Sequence, residues 1–422
     1  MVKETTSGPD CVGAIVEAFV PCRHSHPLRV ISPLLMAMLL LGIRFDVAEG
    51  MASIANAGAP VLGEPLPAGP PLRAIQQAGP SFSIFLPLVL RNYGQPLLMG
   101  VYAQGWLALE ATYTSELNPL DTWTGKQHSL LATFIDIATP NNQAYITDQL
   151  TAAWTHGYTP FVNLMACTGS YVPATCTSEG AAGDIAGGNW DAYLNAWAAA
   201  FKSYAEGSTG RAAFIAPLPE MNGSWTPYNG CSPHSPTDFK NAYDHVRAVF
   251  AANAVPAGSV RWVFAPNGYS DCGAIADYYP GDVNVDVVGL SSYNYGYSPR
   301  VVAHRWDPPS FVYGNYLPTL RAMAPAKPII LSQTGTTAYY DNTTTPNHAA
   351  KNQWLNDAFN YLAGEAQVRG LIYYNIQGWE LIDWPVHLNG ALTDYTGYQT
   401  GAANPAYRYI TPADLKNMPL LP

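Results

Sequence analysis

From residue 96 onward the chain alternates short apolar runs with stretches of helical periodicity, and this alternation limits the possible folds more than any other feature. The runs cover 97–103, 130–137, 159–166, 212–219, 260–266, 285–293, 328–333 and 370–376. They are near-continuously apolar rather than alternating, which predicts strands covered on both faces, as in a parallel sheet. Two of the intervening stretches have clear helix starts. One begins with Asn189 as the expected N-cap and carries Trp190, Tyr193, Leu194, Trp197, Phe201 and Tyr204 at helical spacing up to Gly207. The other opens at Ser235-Pro236-Thr237-Asp238 and is expected to bury Phe239, Tyr243, Val246 and Phe250. Eight strand-helix units predict an α/β fold, a single (β/α)8 TIM barrel. An open doubly wound sheet is the alternative, but no Gly-rich phosphate loop follows the first run.

The first 95 residues read differently. Arg23, His24, His26 and Arg29 precede an apolar run from Val30 to Ile43. That run is too short to span a bilayer and suits the hydrophobic region of a signal peptide. Residues 1–58 are therefore expected to be a signal or targeting segment, with a buried helix as the alternative. Residues 59–95 form a linker rich in Pro, Gly and Ala, and residues 96–422 form the barrel. The reading predicts a secreted or cell-surface protein whose mature domain is monomeric and not inserted in a membrane. Charged residues make up 12% of the chain and the formal net charge is −10, so there is no electrostatic footprint for nucleic acid. Outside the expected signal segment the cysteines are Cys167, Cys176, Cys231 and Cys272. Their spacing matches no zinc site, so no metal or organic cofactor is expected. Cys167–Cys176 and Cys231–Cys272 disulfides are expected, as suits an oxidising compartment, with four buried thiols as the alternative.

In a barrel of this kind chemistry sits at the carboxyl ends of the strands. The fourth run ends in "PLPEMNGSWTPYNG", which places Glu220 at a strand end, followed by Asn222, Trp225 and Tyr228. Aromatic neighbours raise a carboxyl pKa and offer flat faces to sugar rings, both of which a general acid for glycosidic oxygen needs. The seventh run ends in "KPIILSQTG" and delivers Gln333 to a Gly-containing loop. Further candidates for sugar contact are Tyr102 and Trp106 at the end of the first run and just beyond it, Asp136 at the end of the second, and Tyr295 after the sixth. Tyr374 in the eighth and Trp379 and Trp384 in the loop beyond it complete the set.

The stretches "GNWDAYLNAWAAAFKSYAEGSTGRAAFIAPLPEMNGSW", "FKNAYDHVRAVFAANAVPAGSVRWVFAPN", "VDVVGLSSYNYG" and "KPIILSQTG" resemble, in this order, glycoside hydrolase family 26. The resemblance implies a (β/α)8 barrel and retaining, endo-acting hydrolysis of a β-linked polysaccharide: β-1,4-mannan first, with mixed-linkage glucan, β-1,3-glucan or β-1,3-xylan as rivals. It also implies that Glu220 is the acid/base, that Gln333 stands at the nucleophile position, that Tyr293 orients that position, and that Trp225 and Tyr374 line the sugar site. Pro219 stands where the family often carries a histidine, which leaves the sugar preference open.

Gln333 is the larger departure. A retaining mechanism needs a carboxylate that forms an ester at the anomeric carbon, and an amide is neutral and a very poor nucleophile. No acidic residue lies between Arg321 and Tyr340, so a shift of register supplies no substitute. Three readings follow. A deliberate Glu→Gln exchange preserves shape and abolishes attack, leaving an inactivated hydrolase. A natural loss leaves a non-catalytic carbohydrate-binding barrel. An inverting route uses a base such as Asp136, Glu380 or Asp383, at a carboxyl separation of about 6.5–9.5 Å.

Overall fold

The computed structural model describes residues 95–138, 143–166, 180–207, 210–298, 305–377, 382–387 and 394–421. Eight strands close into one parallel barrel in chain order. They are β1 (Leu98–Tyr102), β2 (Leu130–Asp136), β3 (Thr159–Met165), β4 (Ala213–Pro217), β5 (Val260–Phe264), β6 (Val287–Asn294), β7 (Ile329–Thr336) and β8 (Val368–Tyr373). Each expected apolar run coincides with one strand, β6 and β7 continuing past their runs to Asn294 and Thr336. Most strand positions are buried because one face fills the barrel and the other meets the helices. Leu98, Ala132, Phe161, Phe214, Val263, Ile330 and Ile372 point inward into one cluster, whereas Val101, Leu131, Ile215, Phe264 and Leu331 pack outward against the helices. This double burial explains the continuous apolar runs.

The helix Pro236–Ala252 starts as expected: Asp238 N–H donates to Ser235 Oγ at 3.3 Å, and Ser235 N–H donates to Asp238 Oδ2 at 2.9 Å. The helix Asp191–Glu206 corrects the cap assignment. Trp190 occupies its N-cap without a side-chain bond, because the Asn189 amide donates to Asp184 Oδ1 at 3.2 Å instead. On that helix Tyr193 is exposed, while Trp197, Phe201 and Tyr204 are core. Cys231 and Cys272 form a disulfide between the loops after β4 and β5. Cys167 and Cys176 lie outside the described residues. Among those residues no helix is long and apolar enough to cross a membrane.

The floor of the barrel was not legible in the sequence. The helix Pro412–Asn417 and the residues after it place Leu415 and Leu420 in the inward-facing cluster. Two cations, half-buried Arg261 and buried Arg369, hold this segment by its main-chain carbonyls. Arg261 Nη2 donates to Leu415, Lys416 and Met418 at 3.0, 3.0 and 2.7 Å, and Arg369 Nε donates to Leu420 at 2.6 Å. Asp286, just before β6, accepts from Trp262 N–H at 2.8 Å at this same end, away from the mouth as its position predicts. Because Leu415 is completely buried, Leu415→Ala is expected to lower the unfolding free energy by about 2–5 kcal/mol. Asn417→Ala, on the exposed side of the same helix, should stay within about 0.5 kcal/mol of the parent. Urea unfolding of both variants is the check; equal curves would mean that this segment is not part of the core.

Candidate active site

Each candidate side chain owes its place to a strand end, and β7 shows how. Between Gly289↔Ile330 and Ser291↔Gln333, β7 uses one residue more than β6. Between Leu331↔Leu371 and Thr334↔Tyr373 it also uses one more than β8. A bulge of this kind reverses the alternation of faces along a strand. Ile330 points into the barrel, yet Gln333, three residues on, is registered opposite Ser291 and reaches the mouth. There Tyr293 Oη donates to Gln333 Oε1 at 3.0 Å. Burial, reinforced by the charge of Glu220, raises the Tyr293 pKa well above its ordinary value and keeps the hydroxyl a donor.

Glu220 sits on the turn after β4, where the backbone takes φ values of 54° at Leu218 and 60° at Glu220. Left-handed φ at non-glycine residues costs about 1–3 kcal/mol each and persists only where the surroundings enforce it. Here the enforcement comes from the neighbouring strands: Leu218 N–H donates to Leu164 O and Glu220 N–H to Ala265 O, both at 2.8 Å. Trp225 Nε1 donates to Glu220 Oε2 at 2.9 Å. Burial raises the Glu220 pKa, while hydrogen bonds from Ser291, Trp225 and Asn267 pull it back. The result is a carboxyl group poised to hold a proton and to release it. Ser291, whose hydroxyl helps hold the Glu220 pKa down, pairs in register with Gln333, which brings both candidate residues to one position of β6.

Several expected sugar contacts are placed otherwise. Tyr102 is buried inside the barrel, donates to Ser332 O at 3.0 Å and accepts from Asn163 Nδ2 at 2.6 Å, so it is core and not a platform. Asn222 is completely buried and braces two strand ends: its amide donates to Asn267 O at 2.8 Å and its Oδ1 accepts from Asn267 N–H at 2.9 Å. Tyr228 is buried, with its hydroxyl 3.4 Å from Met165 Sδ. Trp384 is buried behind Tyr293, with ring centroids 5.1 Å apart. Tyr374 stands between Tyr102 and Tyr293 at 5.4 and 6.1 Å. Trp106, Trp225 and Tyr295 remain exposed, on loops after β1, β4 and β6. Trp379 lies outside the described residues.

Sequence reasoning missed Asn267, Ser291 and Tyr269. Tyr269 is 64% exposed and stacks parallel to Trp225, 44% exposed, at 6.2 Å, which makes a two-ring surface beside Glu220. An aromatic in the "NGYSDCG" loop directly after a strand was the available signal.

The alternative bases separate clearly. Asp383 accepts from Thr337 Oγ1 at 2.6 Å, Ala338 N–H at 2.9 Å and Tyr395 Oη at 3.0 Å, and is committed to tying loops together. Glu380 lies outside the described residues. Asp136 continues the inward-facing series Leu130, Ala132, Phe134 at the mouth end of β2, and burial pushes its pKa up to about 7. Among the described residues, one group of potential metal ligands lies close together, Cys231, Asp271 and Cys272, and its two sulfurs are bonded to each other.

The model of glycosyl hydrolase family 26 matches residues 190–309, a span that includes Glu220, Trp225 and Tyr293 and stops before β7. Endoglucanase H of Acetivibrio thermocellus is 30% identical over 186 residues, which are 42% of this chain and 18% of that protein. Residues 190–309 are therefore similar to glycoside hydrolase family 26. The chain spans 18% of the length of that curated relative. Solved family 26 structures share the fold. The catalytic domain of the Bacillus sp. JAMB-750 endo-β-1,4-mannanase superposes with a TM-score of 0.58 at 15% identity, over 78% of this chain and 90% of that one. A double mutant of the Cellulomonas fimi endo-β-1,4-mannanase gives 0.55 at 18% identity, over 76% of this chain and 74% of the other.

Two predictions test the electrostatics of this barrel. Trp225→Phe removes a donor that favours the charged carboxylate, so the Glu220 pKa should rise further; carbon-13 NMR of the glutamate carboxyls reads the shift, and a fall would contradict the assignment. Asp136 holds its proton in the folded chain up to about pH 7, whereas unfolded it releases it near 3.8, so its presence lowers stability progressively as pH rises through that window. Asp136→Asn should therefore raise the unfolding free energy at pH 8, on the order of a few kcal/mol, and change it little at pH 3.5. Urea curves at the two pH values decide; equal shifts at both would sink the account.

Proposed function

We propose that this barrel is built to hydrolyse a β-linked polysaccharide by the retaining route, with Glu220 as acid/base and residue 333 as the nucleophile position. The carrying observation is the pair of hydrogen bonds that aims the two residues: Trp225 Nε1 to Glu220 at 2.9 Å, and Tyr293 Oη to Gln333 at 3.0 Å. In the reaction Glu220 gives its proton to the leaving oxygen, and a carboxylate at 333 attacks the anomeric carbon to form an ester. Glu220, now ionised, then takes a proton from the water that cleaves that ester. Tyr293 steadies the attacking oxygen, and the exposed rings of Trp106, Trp225, Tyr269 and Tyr295 support endo action by offering faces to several sugar units. The mannanases among its structural relatives favour β-1,4-mannan as the polymer.

With glutamine at 333 the first half of this sequence has no nucleophile, so the chain as it stands binds its glycan without turning it over. The amide oxygen takes the Tyr293 proton just as a carboxylate oxygen would, so the geometry is kept while the charge is lost. The Cys231–Cys272 bridge supports secretion into an oxidising compartment.

The test is reducing-sugar release from mannan, mixed-linkage glucan, β-1,3-glucan and β-1,3-xylan by this chain and by Gln333→Glu. Cleavage of one polymer by the Glu form, with a loss of at least about 10³-fold in the parent, is expected. Equal cleavage by both would move the base to Asp136 and an inverting route. Binding with no cleavage by either would make the barrel a non-catalytic glycan binder.

A further inference from the structure

Lys351 lies on the helix His348–Gly364 and is completely buried. Its ammonium donates to three consecutive main-chain carbonyls of the loop after β8: that of Asp383, that of Trp384 at 3.2 Å and that of Pro385 at 3.1 Å. An ammonium has three N–H donors, so this loop uses all of them. The groups facing Lys351 are few. Asp383 Oδ2 stands 3.6 Å away, and the Tyr395 ring lies 4.0 Å from the nitrogen. Tyr395 Oη donates to Asp383 Oδ2 at 3.0 Å and meets His348 Nδ1 at 2.8 Å, and Tyr373 Oη donates to the Trp384 carbonyl at 2.8 Å.

The loop held in this way carries Trp384, whose ring packs on Tyr293 and Tyr295 with centroids 5.1 and 5.3 Å away. Its Cε3 would lie 3.1 Å from a Cβ added at Gly335, so it also presses on β7 two residues beyond Gln333. Tyr293 in turn donates to Gln333. A chain of direct contacts therefore runs from Lys351 through Trp384 and Tyr293 to residue 333.

We propose that Lys351 is a positioning residue: by binding three successive carbonyls it seats Trp384 behind Tyr293 and thereby sets the hydrogen bond between Tyr293 and residue 333. The catalytic meaning of this contact rests on the reading of 333 as the nucleophile position; the contact itself does not. Burial lowers the Lys351 pKa to about 8, against the opposing pull of Asp383. Above that pH a neutral amine keeps two donors for three carbonyls and loses its attraction to Asp383, so the Trp384 loop loosens.

The side-chain amide of Gln333 is a reporter that requires no turnover. In nitrogen-15-labelled full chain its resonance is identified by its disappearance in Gln333→Glu. In Lys351→Met that resonance is expected to be displaced and insensitive to pH between 7 and 9, whereas in the parent it titrates with a midpoint near 8. Lys351→Arg, which stays charged, should also abolish the titration. An unchanged Gln333 resonance in folded Lys351→Met overturns the proposal. If the Met variant does not fold, the Arg variant decides: a titration identical to the parent's overturns it, and a flat profile supports it. In the Gln333→Glu form, Lys351→Met should lower kcat by about 10-fold with KM nearly unchanged, since the loop acts on the attacking group rather than on substrate binding. Failure of the hydrolase reading looks different: Gln333→Glu with Lys351 intact then cleaves nothing, while the amide resonance still decides the role of Lys351.

Discussion

The mouth of the barrel depends on the one residue that β7 carries in excess of β6 and β8. A closed parallel barrel fixes which strand positions face inward, and without the extra residue the alternation that points Ile330 into the core would not also deliver Gln333 to the mouth. With it, Gln333 comes level with Ser291 and within reach of Tyr293. The cost is a break in two ladders at once, offset by side-chain bonds nearby. Thr334 Oγ1 donates to Ser292 O at 2.8 Å and shares a bond with Tyr313 Oη at 2.9 Å, which ties the bulged strand to β6 and to the outer layer.

Long-range closure relies on a repeated device, a partly or fully buried cation donating to main-chain carbonyls at a helix end or in a loop. Arg261 and Arg369 do this for the barrel floor, Lys351 for the loop after β8, and Lys126 for 402–407, where its Nζ donates to Ala402 O at 2.5 Å and Tyr407 O at 2.7 Å. Each cation satisfies acceptors that would otherwise be buried without donors, and each carbonyl cluster stabilises a charge that would otherwise be costly to bury. A low overall content of charged residues, 12%, is consistent with using several of them in this internal role.

Among the described residues, Glu220 and Asp136 at the mouth are both pushed toward their neutral forms by burial. Glu220 has Trp225, Ser291 and Asn267 to steady its charge, which suits a group that must cycle between protonated and ionised states. For Asp136 burial is the sole cause of the shift. Gln333 has no charge to change, and its amide oxygen accepts the Tyr293 hydroxyl bond as a carboxylate oxygen could.

Eight continuous apolar runs were enough to determine the barrel, because burial on both faces of a parallel strand leaves a pattern that hardly depends on neighbours. The Ser235–Asp238 helix start was legible for a similar reason: a capping box is local. Glu220, Trp225, Tyr293 and Gln333 could be singled out because strand ends are where barrel chemistry sits, and the structure joins them as two hydrogen-bonded pairs. What the sequence did not determine was which aromatic faces solvent. Tyr102, Tyr228 and Trp384 look like Trp106, Trp225 and Tyr295 along the chain, yet the first three are core and the others are exposed. That distinction is made by strand parity and by which loop covers which, through contacts between residues far apart in sequence. The same holds for Asn222, whose place after the catalytic candidate suggests substrate contact but whose amide is consumed by Asn267 in the loop after β5. The floor segment and the Lys351 cage lay beyond the sequence for the same physical reason: a cation and the carbonyls it binds carry no shared pattern, and only the closed fold brings them together.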